Sequence, residues 1–317
     1  MKLLAQVRTA IRLRHYSRRT EEAYLWWIRR FVAFHNRRHP LDLGQADVSA
    51  FLAHLAVDRR VSASTQNQAI ASLLFLYGEV LRRPVGWMAD MVRAKAPKRL
   101  PVVLTREEAR AILEKVDGTA GLVCRLLYGS GLRLMEALCL RVQHLEFGRG
   151  EIRVRGGKGD RDRVTMFPLV LQSPLRRHLE AVRGQHGQDL AAGAGWVVLP
   201  AALGRKYPRA GREWGWQWVF PGTRIYVDRE TAERRRHHLH ETAIQRAFRH
   251  AVRLSGVDKP AHCHTLRHSF ATELLLSGYD IRTVQELLGH RDVRVTMNYL
   301  HVLNRGGLGV RSPIDTL

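Results

Sequence analysis

Acidic residues are scarce in this 317-residue chain. Asp and Glu number 29 against 52 Lys and Arg, which gives a formal net charge of +23 at pH 7. A solvated basic surface accounts for a few extra charges but not for an excess of this size. The excess indicates a polyanionic partner. Nucleic acid fits better than an anionic membrane surface, because the sequence has no lipidation motif and no long basic amphipathic stretch.

Cysteines and long apolar runs are also scarce. The three cysteines, Cys124, Cys139 and Cys263, have no paired spacing, so we interpret them as reduced thiols of a cytoplasmic protein. No run approaches the roughly 18 apolar residues of a membrane span. The N-terminal stretch meets an arginine before an apolar segment forms, so we expect no secretory signal.

The sequence pattern predicts two domains and a linker. In residues 1–88, apolar residues recur at helical spacing after capping signals such as Ser17 and Ser62, so we expect an all-helical domain. Residues 89–101 are a basic linker, punctuated by prolines, whose candidate DNA contacts are Lys95, Lys98 and Arg99. A flexible, hydrated linker is the alternative. Residues 102–317 form the second domain.

The second domain is predicted to be mainly helical with one β-hairpin, which makes the fold α+β. Residues 151–155 and 163–167 alternate like strands around a glycine-rich tip. The block at about 190–238 shows neither the helical nor the strand pattern, because it interleaves tryptophans with basic residues. Helices are expected at about 105–117, 119–130, 169–182, 240–254, 265–277 and 281–288.

Six residues of the second domain could carry out phosphoryl transfer. Attack on a phosphodiester requires that the anion is held, that a nucleophile lies in line and that the leaving oxygen is protonated. Arginine and lysine hold phosphate, histidine moves protons, and tyrosine can be a covalent nucleophile. The candidates are Arg133, Lys158, His264, Arg267, His290 and Tyr299.

A metal or nucleotide cofactor is not expected. Acids are scarce near the six candidates, and neither Asp-x-Asp, His-Glu-x-x-His nor a Walker-type phosphate loop occurs. Two histidine-rich groups could be interpreted as zinc sites, but neither shows the paired spacing of such a site. They comprise His262, Cys263, His264 and His268, and His237, His238 and His240.

In order and spacing, these motifs resemble the signature of the tyrosine recombinases of phage-integrase type. The matching segments are Gly131-Leu-Arg133-Leu-Met-Glu136, Gly-Lys158-Gly, His264-Thr-Leu-Arg267-His268, Leu-Gly-His290 and Tyr299. The match spans the second domain, and the first resembles that family's SAM-like core-binding domain. The resemblance implies a C-shaped clamp on DNA, a monomer when free, and a homo-tetramer on DNA in the bacterial cytoplasm, associated with the nucleoid.

The resemblance implies a role for each residue. Arg133 and Arg267 would bind the non-bridging oxygens of the scissile phosphate. Tyr299 would attack, leaving a 3′-phosphotyrosyl bond and a free 5′-hydroxyl. An unperturbed tyrosine titrates near ~10, so the site is expected to favour the phenolate.

The remaining candidates would move protons or position groups. Lys158 would protonate the departing 5′ oxygen, and His264 could accept the phenolic proton. His290 would donate to the phosphate or help to place the tyrosine. Glu136 is expected to support Arg133 from the same helix face. The tail at about 303–317 is expected to dock on a neighbouring protomer through Leu308, Val310 and Ile314.

Within the family, the chain looks most like an integron integrase, because of the insert at about 190–238 and its Arg-Arg-His-His-Leu-His-Glu stretch. Integron integrases also recombine folded single-stranded cassette sites, whose hairpins carry bases outside the helix. Aromatic residues among basic ones suit stacking on such bases. The candidate residues are Tyr207, Trp214, Trp216, Trp218, His237 and His238. The alternative is that most of these tryptophans pack the insert onto the domain.

Three other functions share parts of this pattern. A phage-type integrase or resolvase would act on duplex sites, and a type IB topoisomerase would relax DNA without strand exchange. A catalytically inactive DNA-binding protein or repressor would bind without cleaving. The complete set of six residues argues against the inactive protein.

Overall fold

The computed structural model describes residues 3–83, 101–156, 162–290, 292–297 and 299. The chain forms two compact units, residues 1–99 and 100–317. The candidate residues Lys95, Lys98, Arg99 and Lys158 and the tail at 303–317 lie outside the described residues.

The described part of the first unit, residues 3–83, is all-helical, as predicted. Its N-caps follow from sequence, since the hydroxyls of Ser17 and Ser62 accept hydrogen bonds from backbone amides three residues later. A π-helical turn, Leu76–Val80, extends the last helix, and a short 3₁₀ turn, Pro40–Asp42, precedes the third. The helices are α1 (Leu3–Leu13), α2 (Arg18–Phe34), α3 (Gln45–Val57) and α4 (Ala63–Phe75).

One apolar cluster holds this unit together. Phe31 of α2 packs edge-on against Phe51 of α3, at a centroid distance of 5.4 Å. The buried Tyr77 hydroxyl donates to the carbonyl oxygen of Pro40 at 3.1 Å, which ties the π-helical turn to the 3₁₀ turn.

The second unit is mainly helical with two small antiparallel sheets, which confirms the predicted fold class. Strands β1 (Leu145–Glu146), β2 (Glu151–Val154) and β3 (Arg163–Met166) form one sheet in that order. Strands β4 (Pro221–Val227) and β5 (Arg234–His238) form the other. The helices are α5 (Arg106–Leu113), α6 (Gly118–Ser130), α7 (Leu134–Leu138), α8 (Leu169–Ala191), α9 (Ala201–Lys206), α10 (Glu241–Leu254), α11 (Cys263–Leu276), α12 (Ile281–Leu288) and α13 (Val293–Met297).

Several elements differ from the predictions: two helix ends, one strand pair, and the short elements β1, α9 and α13, which were not predicted. Helix α8 continues past residue 182 to Ala191, because buried residues still recur every three or four positions, at His186 and Asp189. Helix α5 ends at Leu113, whose carbonyl accepts a hydrogen bond from Arg125. The pair β4–β5 was not predicted, since the five basic residues of β5 show no apolar alternation.

Helix α6 lies at the centre of the second unit and packs against α8, α10 and α11. Its buried residues include Val123, Cys124 and Leu127, which explains the apolar character of this segment. A smaller cluster joins α11 to α12 and contains Tyr299. The core therefore fixes the ends of α6, α11 and α12 relative to one another. Among the described residues, no helix is long and apolar enough to cross a membrane.

Gly131 ends α6 and turns the chain toward Arg133. Its φ of +62° lies in the left-handed region. A Cβ at this position would lie 2.4 Å from the ring of Phe270 on α11. Glycine is therefore required here both by the backbone and by the close approach of α11.

We predict that Gly131→Ala lowers the free energy of unfolding more than Gly118→Ala does. Gly118 has a similar φ of +57°, but a Cβ there meets nothing within 4 Å. The control should cost about 1 kcal/mol of backbone strain, and Gly131→Ala a further 1–3 kcal/mol, roughly, from overpacking. Equilibrium urea unfolding measures both, and equal losses would contradict the packing argument.

Candidate active site

The turn after α6 presents Arg133 as the N-cap of α7. Glu136, one turn later, accepts two hydrogen bonds from it. The backbone N–H of Arg133 donates to Oε2 at 2.8 Å and its Nη1 donates to Oε1 at 2.7 Å. The expected support of Arg133 by Glu136 is thus confirmed.

Glu136 also binds Arg163, which the sequence motifs do not single out. Arg163 of β3 donates Nη1 to Oε1 at 2.9 Å and Nη2 to Oε2 at 2.6 Å, and its Nε donates to the carbonyl of Leu287. The Nη1 of Arg267 lies 3.8 Å from the same carboxylate. Burial raises the pKa of Glu136, but hydrogen bonds and charge from Arg163 and Arg133 outweigh it and lower the pKa to about 2.

Arg267 lies inside the core on α11, with 1% of its surface exposed. Its Nη1 donates to the carbonyl of Gly131 at the end of α6, and its Nη2 donates to that of Leu288 at the end of α12. Burial, aided by the charge of Arg133, lowers its pKa to about 9, which still leaves the guanidinium charged at pH 7. Two helix C-termini, which carry partial negative charge, thus hold a buried cation.

His290 lies directly after Gly289, the left-handed C-cap of α12. Its Nε2 is 3.1 Å from Nη2 of Arg267, and its Nδ1 is 3.0 Å from the hydroxyl of Thr296 on α13. Burial and the charge of Arg267 lower its pKa to about 3, so the imidazole is neutral at pH 7. The structure therefore brings His290 beside Arg267.

Tyr299 is 3% exposed, and its ring stacks on that of His290 at a centroid distance of 6.3 Å and an interplanar angle of 23°. Its hydroxyl lies 2.8 Å from Nδ1 of His268. Burial raises the pKa of the phenol, although the charges of Arg267 and Arg133 act in the opposite direction. The expectation that the site favours the phenolate is wrong for this arrangement, because desolvation outweighs the two cations.

His264 lies one turn before His268 on α11, and the two rings meet edge-on at 4.5 Å. Burial and the charge of Arg267 lower the pKa of His264 to about 4. Its ring borders a pocket of about 350 Å³ with Leu134 and Phe248. The ring nitrogen that shares a hydrogen bond with the Tyr299 hydroxyl belongs to His268, not to His264.

The insert is fixed by buried polar contacts. Arg141 is 7% exposed and donates to the carbonyls of Trp216 and Val198, at 2.8 and 2.7 Å. Arg236 of β5 forms a two-pronged ion pair with Asp189 of α8, with both N–O distances at 2.8 Å. These contacts hold the 190–238 block on the domain as part of its folded body.

The candidate tryptophans of the insert differ in their surroundings. Trp218 is 8% exposed and stacks on the guanidinium of Arg141, 3.1 Å from its ring centroid. Trp214 packs against the main core. For these two residues, the structure favours the packing alternative. Trp216 is less buried than Trp218 and borders, together with Trp218, a space of about 520 Å³ beside Arg141, Arg153 and Arg155.

The other aromatic candidates are more accessible. His237 is exposed, and its ring lies 4.0 Å from that of His238 and 5.9 Å from that of Trp218. Tyr207 follows α9 and is 50% exposed, with the Lys206 ammonium 5.3 Å from its ring centroid. The structure therefore places His237 and His238 beside Trp218.

Neither histidine-rich segment forms a metal-binding group in the described part of the chain, where no three His, Cys, Asp or Glu side chains cluster suitably. Cys124, Cys139 and Cys263 are free thiols, and burial raises the pKa of each.

Comparison with known proteins identifies the family. The model described as "Phage integrase family" matches residues 102–305, and "Phage integrase, N-terminal SAM-like domain" matches residues 3–87. An "Integrase/recombinase" of Escherichia coli is 52% identical over 317 residues, covering 100% of this chain and 94% of that protein. "Tyrosine recombinase XerD" of Lacticaseibacillus casei is 30% identical over 275 residues, covering 84% and 80%.

A solved structure shares the fold. The Tn1549 transposon integrase, in complex with transposon right end DNA, has a TM-score of 0.64 at 16% identity, with 100% of this chain and 97% of that chain covered. The chain belongs to the phage integrase family. It is a tyrosine site-specific recombinase.

We predict that Glu136→Gln lowers the free energy of unfolding by about 3 kcal/mol at pH 7, because buried arginines lose their counter-charge. The folded-state pKa of Glu136, about 2, lies below the ordinary value of 4.5. The stabilisation is therefore present above about pH 4.5 and is lost as the pH falls toward 2.

Urea unfolding at pH 7 and at pH 3 measures this difference. The control is Glu146→Gln, which removes a half-exposed pair with Arg153 and should cost less than about 1 kcal/mol. If the difference in free energy of unfolding between wild type and Glu136→Gln is as large at pH 3 as at pH 7, the link between stability and ionisation of Glu136 is contradicted.

Proposed function

We propose that this recombinase cleaves and rejoins DNA through a 3′-phosphotyrosyl intermediate, with Tyr299 as the nucleophile. The observation that carries the proposal is the convergence of two other segments on one phenol. The Tyr299 hydroxyl contacts His268 of α11, its ring stacks on His290 after α12, and His290 contacts Arg267. Four such groups in contact supply a nucleophile, proton carriers and a cation.

Arg133 and Arg267 are proposed to hold the scissile phosphate. The side chain of Arg133 is 23% exposed at the turn, whereas Arg267 is buried in the core. Both are fixed before substrate arrives, Arg133 by Glu136 and Arg267 by two helix ends. Guanidinium groups fixed in advance stabilise charge on a pentacoordinate phosphate without reorganising during the reaction.

Lys158 is proposed as the general acid for the departing 5′ oxygen. In the sequence it falls between β2 and β3. Arg163, the first residue of β3, is bound by Glu136 at the site. His264 and His290 are proposed to assist at the phosphate. The covalent bond to Tyr299 would conserve the phosphodiester, so that the reaction needs no nucleotide energy source.

We predict that the wild-type chain forms a covalent complex with a nicked suicide substrate carrying an integron attachment site, and that Tyr299→Phe does not. Removal of the only attacking oxygen abolishes the intermediate rather than slowing it. The control is Tyr279→Phe, which changes an exposed tyrosine, 54% accessible, and should trap normally. Denaturing gel electrophoresis separates the complex from free protein. Trapping by Tyr299→Phe, or failure of the wild type, would contradict the proposal.

At a finer level, we propose that the chain acts as an integron integrase, integrating and excising gene cassettes at duplex attachment sites and at folded single-stranded cassette sites. The support is the insert, whose pocket combines Trp216 with three arginines. A flat aromatic face beside cations suits an unpaired base and its phosphate. Further contacts are proposed for Tyr207, His237 and His238.

The assembly that we propose follows from the resemblance to tyrosine recombinases. The helical segment at 1–88 would bind DNA with the second domain, and the linker at 89–101 would add phosphate contacts. The tail at 303–317 would dock on a neighbouring protomer, giving a tetramer on two sites. The free protein would be a monomer in the bacterial cytoplasm.

We predict that Trp216→Ala reduces recombination at folded single-stranded sites by about tenfold or more, since base stacking on an aromatic ring contributes roughly 1–3 kcal/mol. Recombination between two duplex sites should be nearly unchanged. Trp218→Ala, which removes a buried packing residue, should reduce both reactions alike. An equal loss on both substrates for Trp216→Ala would contradict the stacking role.

A further inference from the structure

We propose that His268 is the catalytic residue that takes the phenolic proton of Tyr299 during strand cleavage. This inference rests on the proposed phosphotyrosyl mechanism and deepens it, because the family resemblance had assigned that step to His264. Nδ1 of His268 lies 2.8 Å from the Tyr299 hydroxyl, which is within hydrogen-bond distance. A proton acceptor must first meet this geometric requirement.

The position of His268 on α11 makes this contact specific. Arg267, the preceding residue, points into the core toward Gly131 and Leu288, while His268 faces Tyr299. The His268 and Tyr299 rings lie 5.4 Å apart at an interplanar angle of 50°, so the contact is made through the nitrogen rather than by face-to-face stacking. His264 meets the ring of His268 edge-on instead.

The surroundings of His268 keep its imidazole neutral, so that one ring nitrogen has a free lone pair. Burial lowers its pKa to about 3, with further lowering by His264, His262, Arg267 and His290. These groups, on α11 or directly before it and after α12, include no carboxylate. The imidazole is therefore neutral at pH 7, and with its hydrogen on Nε2 it offers the Nδ1 lone pair to the phenol.

A base of such low pKa cannot deprotonate the buried phenol before attack, since burial also raises the pKa of Tyr299. The proton must move as the oxygen–phosphorus bond forms, when the phenolic oxygen loses its basicity. The scissile phosphate anion, held by Arg133 and Arg267, would also add negative charge and raise the pKa of His268. Both changes favour transfer during the chemical step itself.

The step balances without any further reactant. Attack forms the bond between the Tyr299 oxygen and phosphorus and breaks the bond between phosphorus and the 5′ oxygen. The phenolic proton passes to Nδ1 of His268, and the 5′ oxygen takes its proton from the general acid, proposed to be Lys158. In rejoining, the 5′-hydroxyl attacks phosphorus and gives its proton back to Lys158, while the Tyr299 oxygen departs and takes its proton from His268.

The test compares single-turnover cleavage of the suicide substrate by wild type, His268→Asn and His264→Asn. An asparagine amide oxygen can occupy the place of Nδ1 and keep the hydrogen bond, but it cannot take up a proton. We expect His268→Asn to cleave about 10²–10⁴-fold more slowly, with unchanged DNA affinity. Incorporation of the more acidic 3,5-difluorotyrosine at position 299 should raise the cleavage rate of His268→Asn to at least about a tenth of the wild-type rate. It should give no such recovery in His264→Asn.

A substrate with a 5′-bridging sulfur separates the two proton transfers, because sulfur leaves without a proton. Lys158→Ala should be rescued on it, whereas His268→Asn should not. On this substrate the wild type should still cleave more slowly in D₂O, a measurement that does not depend on folding of a variant. The inference is overturned if His268→Asn cleaves within threefold of wild type, if difluorotyrosine fails to restore it, or if the solvent isotope effect vanishes. Failure of the wild type to form any covalent complex would instead overturn the proposed function.

Discussion

The site depends on how the second unit stabilises a buried positive charge. Arg267 is almost completely inside the core, where an uncompensated guanidinium would cost several kcal/mol. Its nitrogens are satisfied by the carbonyl oxygens that end α6 and α12, and the carboxylate of Glu136 lies 3.8 Å away. The cation therefore ties together two helix ends, and Arg133 and His290 follow directly after these ends.

Glu136 extends the same charge balance to the sheet. The carboxylate joins Arg133 on the turn to Arg163 on β3, so β3 is anchored to the turn that carries Arg133. A single carboxylate among three guanidinium groups leaves a net positive charge. That surplus suits a phosphodiester anion. Burial, aided by the positive charge, lowers the pKa values of His264, His268 and His290, which remain neutral at pH 7.

Much of this organisation could be predicted from the sequence, because helix caps, glycine turns and motif order are local signals. Ser17, Ser62 and Gly131 act as their residue types predict. What could not be predicted depends on contacts between distant segments. Alternation in β3 does not reveal that Arg163 reaches Glu136, and the sequence around Trp218 does not reveal that Arg141 covers its ring. His268 appeared within the motif, but its partner lies 31 residues away.

The central claim, that Tyr299 is the nucleophile, is tested most directly by mapping the covalent bond. The wild-type complex trapped on a suicide substrate would be digested with nuclease and trypsin and analysed by tandem mass spectrometry. Arg294 and Arg305 bound the tryptic peptide of residues 295–305, in which Tyr299 is the only tyrosine. The account predicts a 3′-nucleotide linked through phosphate to Tyr299. A nucleotide on any other residue, or no modified peptide from a trapped complex, would contradict it.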